Sequence, residues 1–355
     1  MIPVTKSFIP PLEEYQAQVK RAFDNQWLTN RGELVKELES KLSEYLEVSN
    51  VLITNNGTVP LQIALKLLGN NGEIITTPFS YIATTSSIIW ENCKPVFVDI
   101  DPVYFTIDEN KIEAAITEKT TCILATHVFG NPCNIEPIEN IAKKYNLKVI
   151  YDAAHCFGVK YNGKSIFEYG DISTCSFHAT KIFHTGEGGA IFSNDEDLRH
   201  KINYSHNFGH KGAIDFHGLG INAKISELQA AMGLAVFPYM QEIIKSRREV
   251  VEFYNSNILN DAVQKIKIRE NTSWNYSYYP IVLKDESTLL KTISKLNEKE
   301  IFPRRYFYPS LNTIEYVKGE KMPISEDISS RIICLPLYVG LKIEELIKIC
   351  EVVNE

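Results

Sequence analysis

Three short segments of the chain combine chemically capable residues with positions where a sheet protein can use them. Asn55-Asn56-Gly57-Thr58 follows the apolar run Val51–Thr54 and precedes the helical stretch Pro60–Leu68. A Gly-Thr pair at a helix N-terminus offers free backbone N–H groups and a hydroxyl, which suits a phosphate. It equally suits a plain cap by Thr or Asn with nothing bound. In Val149-Ile150-Tyr151-Asp152-Ala153-Ala154-His155, a carboxylate directly follows an apolar strand, where its desolvation needs a partner. Asp152 is there either as a helix N-cap or as the counter-charge of a cationic ring nitrogen. Ser176-Phe177-His178-Ala179-Thr180-Lys181 leaves a strand for a polar loop, and Gly186-Glu187-Gly188-Gly189 turns the chain into the next strand. A loop lysine alone reads as a solvated charge. Lys181 is distinguished by its company: it lies 29 residues after Asp152, both at sheet ends, with the Gly57-Thr58 loop upstream. The set points to a functional site where no single segment does.

The elements that must position these segments are legible in the pattern. Short β-rich runs at Val51–Thr54, Ile74–Thr77, Pro95–Val98, Cys122–Thr126, Val149–Tyr151, Thr174–Phe177 and Ala190–Ser193 alternate with helical stretches. Several are apolar throughout, as strands buried on both faces are. The alternation predicts an α/β fold with a mostly parallel central sheet and helices on both faces. Residues 11–25 and 33–47 read as amphipathic helices around the turn Thr29-Asn30-Arg31-Gly32. Residues 223–256 carry helical periodicity with a bend at Pro238. Beyond about 257, a strand at Tyr276–Leu283 and helices at Thr288–Glu300 and Glu344–Val352 predict a small α+β domain. The expected division is 1–250 and 251–355.

Bulk properties narrow the function. The 355 residues are 44% hydrophobic and 23% charged, ordinary for a soluble globular protein. A net charge of −7 argues against a nucleic-acid surface, which needs a clustered basic face. The seven cysteines are dispersed without CxxC spacing, which reads as reduced thiols and not as a disulfide framework or zinc site. No basic segment followed by an apolar one marks a signal peptide, and no apolar run reaches membrane-spanning length. A cytoplasmic location is expected. His184, His206, His210 and His217 fit no standard ligand spacing, so no metal is expected.

Nearly the whole chain resembles the DegT-type nucleotide-sugar aminotransferases, which have the aspartate aminotransferase fold (fold type I). The resemblance is carried by Trp27-Leu28-Thr29-Asn30, Asn56-Gly57-Thr58, Thr77–Thr84, Tyr151–His155, Ser176–Lys181, Glu187-Gly188-Gly189, Gly220–Ala231 and Arg304–Pro309. It implies pyridoxal 5'-phosphate as cofactor, held by Lys181 as a Schiff base, with Lys181 also acting as general base for the proton shift. It implies that Asp152 pairs with the protonated pyridine nitrogen and keeps the ring an electron sink. His155 would stand beside the ring's phenolic oxygen, and Tyr81 would stack on the ring. A satisfied core histidine and a plain core aromatic are the competing readings. Gly57, Thr58 and Ser176 would hold the phosphate. Asn222 would reach the phosphate in the neighbouring subunit, making a homodimer the minimal active unit.

For the substrate, the resemblance points to Trp27, Thr29, Asn30, His184, Arg304, Arg305, Tyr306 and Tyr308 as the nucleotide-sugar pocket. The arginines would neutralise a diphosphate and the tyrosines pack on sugar or base; surface ion pairs and core tyrosines are the structural alternative. Arg304–Pro309 and Phe177–Lys181 resemble the branch making dTDP-4-amino-4,6-dideoxyglucose for surface polysaccharides. The implied reaction takes an amine from L-glutamate and gives it to a dTDP-4-keto-6-deoxy sugar, with amination at C3 the runner-up. Relatives that are dehydratases replace the lysine by histidine, and Lys181 disfavours that reaction. A non-catalytic, ligand-binding regulator is the rival of another class; intact Lys181 and Asp152 argue against it.

Overall fold

The computed structural model describes residues 1–355. The seven apolar runs all become strands: β1 (Leu52–Thr54), β2 (Glu73–Thr76), β3 (Lys94–Phe97), β4 (Thr120–Thr126), β5 (Lys148–Asp152), β6 (Ile172–Ser176) and β7 (Gly189–Phe192). They form one seven-stranded sheet in the order β1-β7-β6-β5-β4-β2-β3. The pairings among β3, β2, β4, β5 and β6 are parallel, while β7 runs antiparallel to both its neighbours.

Both faces of this sheet are covered, and the strand pleat assigns residues to each. Ile53, Ile75, Ile123 and Ala125 enter one core, with Tyr151 and Phe177. Their chain neighbours Leu52, Ile74, Cys122 and Leu124 enter the other, with Ile150, Ile172 and Ile191. Adjacent residues of a strand point to opposite faces, so a run buried on both sides must be apolar at every position. That is why these strands read as unbroken hydrophobic runs.

The predicted helical pair is α1 (Leu12–Asp24) and α2 (Glu33–Leu46). In α2, Leu34, Leu38 and Leu42 recur on successive turns of one face and are buried. Gly32 at its N-cap has no side chain with which to cap the first N–H groups. The buried carboxylate of Glu227 supplies the missing acceptor, taking Leu34 N–H at 2.7 Å and Val35 N–H at 3.3 Å. After it come α3 (Val59–Leu68), α4 (Ile82–Trp90), α5 (Ile135–Tyr145) and α6 (Glu196–His206). Glu227 itself opens α7 (Glu227–Val236), which is followed by a 3₁₀ turn at Phe237–Tyr239 and by α8 (Met240–Asn257). The interruption falls at Pro238, as its missing N–H requires.

The C-terminal part is a second layer. Strands β8 (Gln264–Lys265), β9 (Tyr279–Val282) and β10 (Ile332–Leu335) form an antiparallel sheet with β9 central. Helices α9 (Glu286–Glu298), α10 (Pro323–Arg331) and α11 (Ile343–Asn354) accompany it. Two observations bear on the expected division at 250. Helix α8 places Met240 and Ile243 in the core of the large sheet, and Val250, Val251 and Tyr254 in the C-terminal core. One unbroken helix thus serves both cores. The chain start also belongs with the C-terminal part: Ile2–Pro3 pairs in parallel with Ile301–Phe302, and Ile2 is buried there. An aromatic cluster of Phe79, Phe105, Phe129, Tyr278 and Phe307 lies where the two parts meet.

Candidate active site

Parallel strands bring the loops after their carboxyl ends to one edge of a sheet, and ligands of open α/β sheets bind there. Here the segments after β1, β2, β4, β5 and β6 line one cavity of about 250 Å³. Gly57 and Thr58 come from the first, Tyr81 and Ala83 from the second, Thr126 from β4, Asp152 and His155 from the fourth, and Ser176, His178 and Lys181 from the fifth. The C-terminal part closes the cavity with Tyr278, Arg304, Tyr306 and Phe307.

The carboxylate of Asp152 is buried, and desolvation pushes its pKa up. Two donors oppose that and favour the ionised form: Thr84 Oγ1–H reaches Oδ2 at 2.6 Å, and Ala154 N–H reaches Oδ1 at 3.1 Å. Both oxygens are therefore held, so the carboxylate has one orientation. Desolvation in the cavity pushes the Lys181 amine down from its ordinary range, toward the neutral nucleophile. Its Nζ donates to the hydroxyl of Tyr278 at 3.3 Å.

His155 is a neutral imidazole, because burial pushes its pKa well below the ordinary value. Its Nδ1 accepts the Phe129 N–H at 3.0 Å, which leaves the proton on Nε2. The ring stacks in near-parallel with Phe129 and Phe307, at interplanar angles of 13° and 10°. His155 is thus both a packed aromatic and a fixed donor at the cavity wall.

Gly57 approaches Ser176 so closely that a Cβ on Gly57 would stand 2.7 Å from Ser176 Cβ and 3.1 Å from its backbone Cα. This closeness brings the N-terminus of α3 and the end of β6 together as one cradle. The cap there is Asn56, whose Oδ1 accepts Thr58 N–H at 2.8 Å and Val59 N–H at 2.9 Å. That corrects the expectation that the Thr58 N–H is free for a phosphate. Gly57 N–H and the hydroxyls of Thr58 and Ser176 remain as donors that a phosphate could use.

The substrate candidates separate. Arg304 and Tyr306 line the cavity; the Arg304 guanidinium lies over the Tyr306 ring at 4.8 Å and not against a carboxylate. Arg305, its neighbour, points away. It donates to Glu286 at 2.8 Å and to the Ser330 carbonyl at 2.7 Å, and its guanidinium stacks on Tyr308. Arg305 and Tyr308 are therefore joined to the α9–α10 region and not to the cavity. His184 is buried and bonded to the Phe8 carbonyl at 2.7 Å, again outside the cavity. Trp27, Thr29, Asn30 and Asn222 are exposed and line no part of their own chain's cavity.

Sequence reasoning missed Thr84, Thr126, Asn56 and Tyr278. Thr84 and Asn56 stood inside quoted motifs; Asn56 follows a strand end, whereas Thr84 lies inside α4, where no local signal marks it.

The sequence profile of the DegT/DnrJ/EryC1/StrS aminotransferase family matches residues 12–354. The chain belongs to that family. A dTDP-4-amino-4,6-dideoxy-D-glucose transaminase of Shigella dysenteriae is 40% identical over 359 residues, spanning 99% of this chain and 98% of the relative. A GDP-perosamine synthase of Escherichia coli O157:H7 is 35% identical over 344 residues, spanning 95% and 94%. Among solved structures, DesI, analysed in the presence of its TDP-sugar product, superposes with a TM-score of 0.94 at 28% identity, covering 99% of this chain and 92% of that one. This chain is accordingly an aminotransferase with pyridoxal phosphate as cofactor, on the predicted α/β fold.

The residues present fit that cofactor. An amine and a hydrogen-bonded carboxylate share the cavity with a hydroxyl-lined cradle. The buried Thr126 Oγ1 has no partner within the chain, as expected of a group facing a ligand. No helix of the chain is long and apolar enough to cross a membrane.

Proposed function

We propose that the enzyme moves an amino group from L-glutamate to C4 of a dTDP-4-keto-6-deoxy sugar, giving dTDP-4-amino-4,6-dideoxyglucose. The observation that carries the reaction is the shared cavity: Lys181, Asp152 and the Gly57–Ser176 cradle meet where loops after parallel strands converge. The relative from Shigella dysenteriae, named for that product, supports the choice of sugar.

Pyridoxal phosphate, when bound, supplies an electron sink for the charge left as a proton departs from the carbon bearing nitrogen. The protein's residues do the rest. Asp152, whose ionised form Thr84 and Ala154 favour against desolvation, would keep a proton on the ring nitrogen. Lys181 would bond the cofactor and, once free of it, would take and return the proton at the substrate carbon; desolvation pushes its amine down from the ordinary range, toward the neutral form that accepts a proton. His155, with its proton on Nε2, would donate to an oxygen on the ring. Tyr81, half exposed at the cavity wall, would cover the ring face. Arg304, free of a carboxylate and at the mouth, binds an anionic group of the substrate.

The active unit in this reading is a homodimer. The segment 207–222 forms an arm with Phe208, Ile214, Phe216, Leu219 and Ile221 exposed, Ile214 at 94%. Trp27 and Leu28 are exposed as well. So many apolar side chains together favour burial against a second copy. Asn222 at the end of this arm, with Trp27–Asn30, would then serve the partner's cavity.

The purified enzyme, loaded with cofactor, should show a visible absorbance band that glutamate bleaches. Lys181→Ala should lack both the band and turnover. NMR of the product from a mixed 3-keto and 4-keto dTDP-sugar pool should show amination at C4; amination at C3 alone overturns the sugar assignment and leaves the aminotransferase reading intact. Mixing Lys181→Ala with Asn222→Ala chains should restore one functional site per heterodimer, and no restoration removes the shared-site arrangement.

A further inference from the structure

Among the groups facing Lys181, one has no place in the chemistry so far. Tyr278 comes from the C-terminal part, immediately before β9, and its hydroxyl accepts the Lys181 amine at 3.3 Å. Its ring also lies near the Lys181 nitrogen, 5.6 Å from the centroid. The side chain is buried and wedged by rings: His155 at 4.7 Å, Tyr306 at 5.4 Å and Phe129 at 6.0 Å between centroids. Its backbone is fixed as firmly. Arg247 of α8, buried and facing no carboxylate, donates to the Tyr276 carbonyl at 2.8 Å and to the Ser277 carbonyl at 2.5 Å. Asn275 donates to the carbonyls of His155 at 2.8 Å and Phe157 at 3.0 Å, tying the same segment to the loop after β5.

We propose that Tyr278 is a positioning residue for Lys181: its hydroxyl holds the lysine nitrogen in place whenever that nitrogen is free of the cofactor. A phenol suits the task because it serves both protonation states. Toward an ammonium it accepts, in the sense of the 3.3 Å contact from Nζ to the hydroxyl. Toward the neutral amine the same O–H turns and donates to the nitrogen lone pair. No proton leaves the tyrosine in either case; burial pushes its own ionisation up and keeps it a phenol. The bond to the ammonium is charge-assisted and is the stronger of the two. Tyr278 therefore raises the basicity of the free lysine relative to the same cavity without the hydroxyl, against the lowering by desolvation. It also fixes the direction from which the nitrogen meets the substrate carbon. Because Tyr278 precedes a strand of the C-terminal sheet, it links that part of the molecule to a lysine of the large sheet.

The inference rests on Lys181 as the cofactor-bearing residue and not on which sugar accepts the amine. Tyr278→Phe removes only the hydroxyl and keeps the ring among its neighbours. The first measurement needs no turnover: the rate at which the cofactor-free chain captures pyridoxal phosphate, followed by the visible band against pH. Capture requires the neutral amine, so the half-maximal rate should move to lower pH in Tyr278→Phe, by about one unit. The second is the rate at which 2-oxoglutarate restores the visible band in enzyme loaded with the amine form of the cofactor, in which Lys181 is free. It should fall roughly tenfold to a hundredfold in Tyr278→Phe, with the half-saturating concentration of 2-oxoglutarate unchanged. A capture profile that keeps its midpoint overturns the proposal, as does a band-restoration rate equal to wild type. An equal loss of rate at every pH, accompanied by poor cofactor retention, also overturns it, because that is the mark of a packing defect alone. Failure of the Lys181 reading is told apart by the other two chains: wild type then forms no visible band, or Lys181→Ala keeps it.

Discussion

The Thr84 hydroxyl donates a 2.6 Å hydrogen bond to Asp152, a buried carboxylate contributed by a strand 68 residues further along the chain. Desolvation alone favours the neutral acid, and the Thr84 bond is the first of the forces that oppose it. Thr84→Val keeps the shape and removes the donor. One oxygen of Asp152 then loses its donor, at a cost of about 1–3 kcal/mol to the ionised form. The folded pKa rises further, so the charge needed opposite the ring nitrogen is lost sooner on acidification. The acid limb of the kcat profile should move to higher pH in Thr84→Val. An acid limb unmoved from wild type would show that Thr84 does not govern Asp152.

Gly57 predicts a different failure. A methyl group there meets Ser176 Cβ at 2.7 Å and backbone Cα at 3.1 Å, and backbone cannot swing aside as a side-chain tip does. Gly57→Ala should force α3 away from β6 and open the cradle. Cofactor affinity, read by titration of the visible band, should weaken by at least about tenfold, since even a 1.4 kcal/mol loss is tenfold. The Lys181 and Asp152 geometry is untouched, so kcat at saturating cofactor should fall far less.

How far the sequence reaches is clear from these two sites. The seven strands were legible because burial on both faces demands apolar residues at each position, a requirement that leaves an unbroken local trace. Asp152 was legible because it stands where an apolar run stops, and Lys181 because it follows 29 residues later in a polar loop beyond another such run, with the Gly57-Thr58 loop upstream. Tyr278 was not: it meets Lys181 from 97 positions away, and nothing in Asn275–Tyr279 marks one tyrosine over another. The pair Arg304-Arg305 shows the same limit at the shortest range. Adjacent side chains point to opposite sides, and only the fold decides which one faces the cavity. His184 resembles a site residue by its neighbourhood, yet its partner is a carbonyl 176 residues earlier. Asn222 and Trp27–Asn30 acquire a role only if a second chain is present.

Two buried histidines predict how the fold responds to acid. Desolvation pushes His127 down to about 3 and His206 down to about 4, against an ordinary value near 6.5. In the folded chain both are neutral at every pH above those values. The unfolded chain binds their protons first, so their contribution to stability is constant above about pH 6.5 and falls as pH drops from there toward 4. Each contributes a slope of up to roughly 1.4 kcal/mol per pH unit in that window. His206 donates from Nε2 to the Ile53 carbonyl at 3.1 Å. His206→Gln should lower stability at pH 7 and make the acid-side slope shallower by about one proton, as read from urea unfolding at a series of pH values. A slope unchanged between pH 6.5 and 4 would remove His206 from the acid response.

Arg304 and Arg305 should part company in the same two assays. Arg305 bonds Glu286 and the Ser330 carbonyl and stacks on Tyr308, joining the start of α9 to the end of α10. Only 17% of its side chain is exposed, so its removal leaves that carbonyl without its donor in a largely dry setting. Arg305→Ala should cost about 1–3 kcal/mol of stability and leave KM for the nucleotide sugar near wild type. Arg304 has no carboxylate to lose and lies exposed at the cavity mouth beside Tyr306. Arg304→Ala should leave Tm unchanged within a degree or two, while KM for the nucleotide sugar or for glutamate rises by roughly tenfold or more, the effect expected from losing one charge-assisted anion contact. Which of the two KM values moves identifies the anion that Arg304 holds: a diphosphate if the sugar's, a carboxylate if the amino donor's. Unchanged values for both would place Arg304 outside the binding site despite its position at the cavity.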